Sequence, residues 1–236
     1  MIPVLIAPVL NRPDLLAEML DSIDVPVDRT IIVDNSPDGI ALDRDVEWIR
    51  GVSSFGYPGS INVGIMQTPH APWWLFASND IRFGPGDLAE IASHMDTPEP
   101  RVVTGDRRDA RMLRWAYGAL NAATVQAVGL MDEHAFYPIY FDDDDYERRC
   151  LLAGIRWIVF NGSIEHGDGR GSMTIRSDER LADRNRITFE LNRAQYEAKW
   201  GGTPTAETYS TPYAMSVPLS FVRPDPIARA ARSWDR

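Results

Sequence analysis

Apolar residues in this chain run in short, strand-sized blocks, separated by turn-rich segments and by stretches with helical spacing. Ile2 to Val9 is the first block. Asn11-Arg12-Pro13 follows, and then Leu15, Leu16, Met19, Leu20 and Ile23 recur at helical spacing behind a proline suited to a first helical turn. Thr30 to Val33 is a second, β-branched block that ends in Asp34-Asn35-Ser36-Pro37-Asp38-Gly39, a cluster of turn formers. Trp48 and Ile49 mark a short third strand, Ser53 to Ile65 is a glycine-rich loop entering a helix, and Trp73 to Ala77 is a fourth strand. Strands alternating with helices predict an α/β fold with a mostly parallel sheet and right-handed crossovers.

The second half is less regular. A helix is predicted over Gly86 to Met95 with Leu88, Ile91, Ala92 and Met95 inward, then strands over Arg101 to Thr104 and Leu113 to Ala119. Asn121 to Val128 reads as a short helix and Phe136 to Phe141 as an aromatic strand or loop. Asp142 to Leu152 reads as a helix that opens on four aspartates and closes at Gly154. Arg156 to Phe160 is a strand and Gly162 to Thr174 a glycine-rich loop. A long helix from Asp178 to Trp200, with Ile187, Leu191, Ala194 and Ala198 as its apolar face, ends at Gly201-Gly202. We therefore expect one domain over residues 1–202. The proline-rich tail, 203–236, wraps over it in extended form or orders in a homo-oligomer.

Composition narrows the classes of partner. With 236 residues, 44% hydrophobic and 25% charged, the chain has the make-up of an ordinary globule, and its net charge of −10 argues against nucleic acid or an anionic membrane. No apolar stretch is long enough to span a bilayer and the N-terminal stretch has no positive leader, so a cytoplasmic protein without an integral membrane segment is expected. A single cysteine, Cys150, excludes an internal disulfide and is read as core, and four histidines make no cluster for structural zinc.

Four polar clusters follow the predicted strands: Asn11-Arg12, Asp34 to Asp38, Ser78 to Asp80, and Asp142 to Asp145. Singly, each has a structural reading as a cap neighbour, a turn former, a strand end or a helix-dipole partner. Consecutive parallel strands, however, direct their loops to one edge, which gathers these groups in one crevice. Asp80, at the tip of the most apolar strand, is the first candidate for holding a metal and a diphosphate.

The order of these pieces resembles the GT-A fold glycosyltransferases, in particular the family 2 inverting enzymes. The matching segments are VLIAPVLNRPDLLAEMLDSI, TIIVDNSPDG, SFGYPGSINVGI, WWLFASNDIRF, VGLMDEHAF, YFDDDDYERRCLLAGIRW, the EHGDG loop and YEAKWGG, covering about Val4 to Gly202. The resemblance implies a Rossmann-like, mostly parallel sheet flanked by helices. It also implies that Pro8, Asn11 and Asp34 line a nucleotide pocket, with Asp34 accepting from the N–H of uracil or thymine, and that Asn62 supports the nucleotide or orders the glycine-rich loop. Ser78-Asn79-Asp80 falls at the family's DXD position. Asp80 would bind Mn²⁺ or Mg²⁺, Asn79 would contact the sugar, and His166 would be a further metal ligand.

Asp143 matches the position of the catalytic base. A carboxylate there takes the proton of an attacking hydroxyl, an effect of about 10²- to 10⁴-fold. Asp142 is placed beside the acceptor, and Asp145 is read as structural, paired with Arg149 at i+4. Trp115 and Tyr140, with Tyr117 and Tyr137 as further aromatic candidates, are expected to wall the acceptor, a glycan or a protein hydroxyl. The expected activity is metal-dependent, inverting hexosyl-type transfer from a UDP- or dTDP-sugar. Two rivals stand beside it. One is a non-catalytic sugar- or protein-binding module on the same scaffold. The other is a nucleotide-sugar nucleotidyltransferase, against which the first loop argues, since APVLNRP lacks the glycine run and lysine a triphosphate needs.

Overall fold

The computed structural model describes residues 1–106, 114–169 and 171–215. Strand β1 (Ile2–Val9) leads into helix α1 (Pro13–Asp21), and β2 (Val27–Asp34) and β3 (Glu47–Arg50) into α2 (Gly56–Gln67). Then come β4 (Trp73–Ala77), β5 (Ile81–Arg82), α3 (Asp87–Met95), β6 (Val102–Thr104), β7 (Tyr117–Asn121), α4 (Ala122–Val128) and α5 (Asp142–Leu152). The described chain finishes with β8 (Trp157–Val159), β9 (Glu165–His166), α6 (Met173–Arg176), α7 (Glu179–Trp200) and a 3₁₀ turn at Pro212–Ala214. No helix among the described residues is long and apolar enough to cross a membrane.

Seven strands form one sheet in the order β3-β2-β1-β4-β7-β6-β8, and β5 pairs with β9 in a separate ribbon. Every neighbouring pair in the large sheet is parallel except those made by β7, which runs antiparallel to both β4 and β6. In a strand successive side chains point to opposite faces, and the core divides accordingly. Leu5, Ala7 and Val9 pack with Leu16, Met19, Leu88 and Ile91 of α1 and α3. Val4 and Ile6 pack on the other face with Ile61 and Ile65 of α2, Val125 of α4, and Tyr146 and Cys150 of α5. Burial on both faces is why the central strands read as continuous apolar runs.

Three expectations change. The strand placed at Leu113 to Ala119 begins at Tyr117, because Arg114 to Ala116 form a turn in which Trp115 takes φ 57°; Leu113 lies outside the described residues. The glycine-rich segment 162–174 is not wholly loop, since it contains β9 and the start of α6. The apolar stripe predicted for α7 faces outward, with Ile187 and Leu191 58% and 63% exposed. The inward residues are Asn192, Tyr196, Lys199 and Trp200, of which Tyr196 and Trp200 join Phe136 and Phe141 in a small third core. Polar side chains hold this face. Lys199 Nζ lies 2.6 Å from Asp145 Oδ1, Arg149 Nε donates to Asp145 Oδ2 at 2.9 Å, and Trp200 Nε1 donates to Asp145 Oδ1. Residues 203–215 fold back on this helix, where Thr208 and Tyr209 N–H groups donate to Trp200 O and Arg148 donates to Tyr209 O. Residues 216–236 lie outside the described residues, and with them the tail's proposed part in an oligomer.

The β4–β7 pairing allows no side chain at Gly118, which sits opposite Phe76 and where a Cβ would overlap the phenyl ring. Gly118→Ala is expected to destabilise the protein by about 1–3 kcal/mol through overpacking, read as a lower urea midpoint at unchanged m-value.

Candidate active site

The carboxyl ends of β1, β2 and β4 open on a cavity of about 770 Å³, within the ~300–1,000 Å³ common for ligand sites. Because β7 is reversed, its start lies at the same edge. Ala77 pairs with Tyr117, and Ser78 N–H donates to Ala116 O at 2.7 Å. Arg114 and Trp115 thereby reach the cavity alongside Ser78, Asn79 and Asp80.

Asp80 is 1% exposed. Its Oδ1 lies 3.3 Å from His166 Nε2, and its Oδ2 accepts from Met173 N–H at 2.9 Å. The β5–β9 ribbon makes this meeting possible, since Ile81, next to Asp80, pairs with His166. Burial alone would raise the Asp80 pKa, but the hydrogen bond and charge of His166 and the Met173 amide outweigh it and hold the carboxyl below its ordinary range. A carboxylate oxygen and an imidazole nitrogen converging in this way suit a divalent cation such as Mn²⁺. No group of three or more metal-ligating side chains occurs among the described residues, so a cation here takes its remaining ligands from water or a bound anion.

The aspartates at the start of α5 form the opposite wall. Asp142 and Asp143 line the cavity. Asp142 is buried, and burial, with the neighbouring charge of Asp143, pushes its carboxyl well above the usual range. Its Oδ2 finds no hydrogen-bond partner among the described residues. Asp143 lies 3.7 Å from Arg114 Nε, and the same guanidinium reaches Asp144 at 3.4 Å and pairs with Glu147. Asp145 points away, into the α5–α7 network described above.

At the third corner Asp34 is closed off. Oδ1 accepts from Ser36 N–H, and Oδ2 accepts from Ile40 N–H and from Nε and Nη2 of Arg50. The Asp34 side chain has no exposed surface, whereas that of Arg50 is 49% exposed. Gly39, at φ 71°, lies where any Cβ would collide with the Arg50 guanidinium. The group that faces the cavity here is therefore Arg50, and Asp34 anchors it. Asn11, at φ 54°, donates its N–H to Ser36 Oγ, and Pro8 and Asn79 line the same wall.

Asn62 is a correction. It does not line the cavity; its amide donates to Met131 O and Glu133 Oε2 and accepts from Met131 N–H, tying α2 to the loop before α5. Tyr117 is likewise core, its hydroxyl donating to Phe160 O, and Tyr137 sits outside the cavity. Trp115 and Tyr140 do line it, Trp115 stacked on Trp157 at 4.9 Å and Tyr140 accepting from Asn185 Nδ2. Sequence reasoning missed Arg50, Arg114, Tyr57 and Thr174, and the α7 residues Asn185 and Thr188, all of which line the cavity. Arg50 carried one usable signal, a basic residue ending a strand that follows an acidic turn.

No protein-family model and no curated protein matches the sequence. Among solved structures the chain is similar to the mannosyltransferase PcManGT of Pyrobaculum calidifontis in complex with GDP-Man and Mn²⁺, at 13% identity over 99% of this chain and 80% of that one, TM-score 0.52. It is also similar to glucosyl-3-phosphoglycerate synthase from Mycobacterium tuberculosis in complex with Mn²⁺, UDP and phosphoglyceric acid, at 13% identity over 83% of this chain and 78% of that one, TM-score 0.54. Similarity to S. aureus TarS, at 16% identity and TM-score 0.51, covers 69% of this chain but only 36% of that much longer one. The likeness establishes the fold, and the chain has the GT-A architecture.

The Asp34 carboxyl supplies a pH test. Burial would raise its pKa, yet the bonds from Ser36, Ile40 and Arg50 hold it below the ordinary aspartate value. Its contribution to stability is then complete above that ordinary value and fades as pH falls through the lower folded value. Asp34→Asn is expected to cost about 1.5–3 kcal/mol at neutral pH. In denaturant titrations from pH 7 to pH 2.5, the gap to the wild type should narrow as pH drops below about 3.9.

Proposed function

We propose that this chain is an inverting glycosyltransferase, which moves a hexosyl group from a nucleoside-diphosphate donor to a hydroxyl of a glycan or protein. The observation that carries this reading is the arrangement around one cavity of Asp80 in contact with His166, a separate carboxylate, Asp143, and a half-exposed arginine, Arg50. Supporting it is the GT-A architecture shared with solved enzymes that bind GDP-Man or UDP together with Mn²⁺.

Each residue has a distinct task. Asp80 and His166 would hold a divalent cation, Mn²⁺ or Mg²⁺, which would supply positive charge to offset that of a diphosphate leaving group. Asp143 accepts the proton of the acceptor hydroxyl as that oxygen bonds to the anomeric carbon and the bond to the diphosphate breaks on the opposite face. Nucleoside diphosphate leaves, the proton stays on Asp143, and configuration inverts without a covalent intermediate. Arg114 holds Asp143 in place. Asp142, whose carboxyl burial and the charge of Asp143 hold above the usual range, lies beside the acceptor as a hydrogen-bonding group.

Arg50 offers donors, so a base it reads presents acceptors. Uracil and thymine offer O4 or O2, guanine O6 and N7, and adenine only ring nitrogens. With Asp34 covered by Arg50, the contact that favoured uracil or thymine is gone, and UDP-, dTDP- and GDP-sugars are all candidate donors. A non-catalytic binding module on the same scaffold is favoured by one feature, the absence of a third metal ligand among the described residues.

A screen of UDP-, dTDP-, GDP- and ADP-sugars with Mn²⁺ or Mg²⁺ separates the two readings. Hydrolysis or transfer is expected with at least one of the first three, and binding without turnover of any donor supports the module. Asp143→Asn should keep donor binding and lose ~10²- to 10⁴-fold in transfer; transfer at the wild-type rate sinks the base assignment. Asp80→Ala should weaken Mn²⁺-dependent nucleotide binding at least ~10-fold by calorimetry, with little change when Mn²⁺ is omitted.

A further inference from the structure

Immediately before the aspartates of α5, two successive residues with side chains, Tyr140 and Phe141, take left-handed backbone angles of φ 78° and 66°. Such conformations are disfavoured for residues carrying a Cβ and persist only where the surroundings fix them. Glycine is absent from this segment, YPIYFDD (137–143), so the conformation is imposed from outside.

The restraint comes from α7. Asn192, 5% exposed, donates from its one Nδ2 to Ile139 O at 2.8 Å and to Tyr140 O at 3.3 Å. On the same helix face, one spacing of seven earlier, Asn185 donates to the Tyr140 hydroxyl at 3.1 Å. Between and beyond them, Phe189 and Tyr196 hold the Phe141 ring at centroid distances of 5.2 and 5.7 Å. Downstream, Phe141 O accepts from Asp145 N–H and so forms the first turn of α5. The polar residue thus binds the backbone on one side of the strained pair, and the aromatic residues grip the other.

We infer that Asn192 is a positioning residue for the transfer reaction, holding the left-handed turn at Tyr140–Phe141 that aims Asp142 and Asp143 into the cavity. This rests on the reading of Asp143 as the base. Asn192 touches neither the cavity nor any reacting group, so it acts through the geometry of the turn alone.

The test uses the full chain with Asn192→Leu, which keeps the branched shape and removes both hydrogen bonds, and Asn192→Ser as a milder change if the first does not fold. kcat for transfer should fall ~10- to 100-fold, as expected for a displaced catalytic group, while the donor KM changes less than about 3-fold. A purely structural role would lower the folded fraction without separating the two constants. kcat within about 3-fold of wild type, or kcat and donor affinity lost together, overturns the inference. Hydrogen–deuterium exchange provides a readout independent of activity. Amides of residues 139–146 should exchange at least ~10-fold faster in the variant while those of β1 stay unchanged, and unchanged protection at 139–146 also overturns it. If the wild-type protein transfers no sugar from any donor, the proposed activity fails, and exchange still decides whether Asn192 holds the turn.

Discussion

The antiparallel seating of β7 between β4 and β6 is the constraint on which the site depends. A sheet built only of parallel strands would deliver to its carboxyl edge only the loops that follow strands. Reversing one strand delivers the residues that precede it, and so Arg114 and Trp115 arrive beside Asp80. The fit at the reversal is close. Gly118 leaves room for the Phe76 ring, and Trp115 lies 4.6 Å from the same ring and stacks on Trp157. The apolar contacts that hold the sheet together also carry Arg114 to the carboxylates of α5.

Charge in the cavity is arranged in pairs rather than left as a pool of acids. Asp34 is neutralised by Arg50, Asp143 and Asp144 lie against Arg114, Asp80 lies against His166, and burial with the charge of Asp143 pushes the Asp142 carboxyl above its usual range. In a chain of net charge −10, this sets a nitrogen-bearing side chain against each of Asp34, Asp80 and Asp143 around the cavity. It also divides the labour. The arginine that covers Asp34 is the half-exposed partner and faces the cavity, whereas the arginine beside Asp143 is buried and fixes a side chain.

Helix α7 shows how a polar face can do structural work. Its apolar stripe is outside, while Asn192 and Lys199 are buried and bind backbone carbonyls and the Asp145 carboxylate. Both contacts converge on the two ends of the first turn of α5. The strained turn before it and the ion network behind it together leave that turn little freedom.

Much of this was legible in the sequence. Strand-sized apolar runs, helical spacing and turn clusters fixed the α/β class, the order of most elements and the edge to which Asp80 would come, because these follow from local periodicity and the geometry of parallel strands. The long helix ended where Gly201 takes its left-handed cap, and Asp145 paired with Arg149 as the i,i+4 spacing required. Tertiary structure decided the rest. Asn62 looked like a ligand residue and became a tie between α2 and a loop; Asp34 looked open and lies beneath Arg50, 16 residues later. The inward face of α7 could not be found from hydrophobicity, since its partners are carbonyls and a carboxylate supplied by distant segments. Periodicity reports which residues avoid water, but it does not report which polar groups will find one another once the chain has folded.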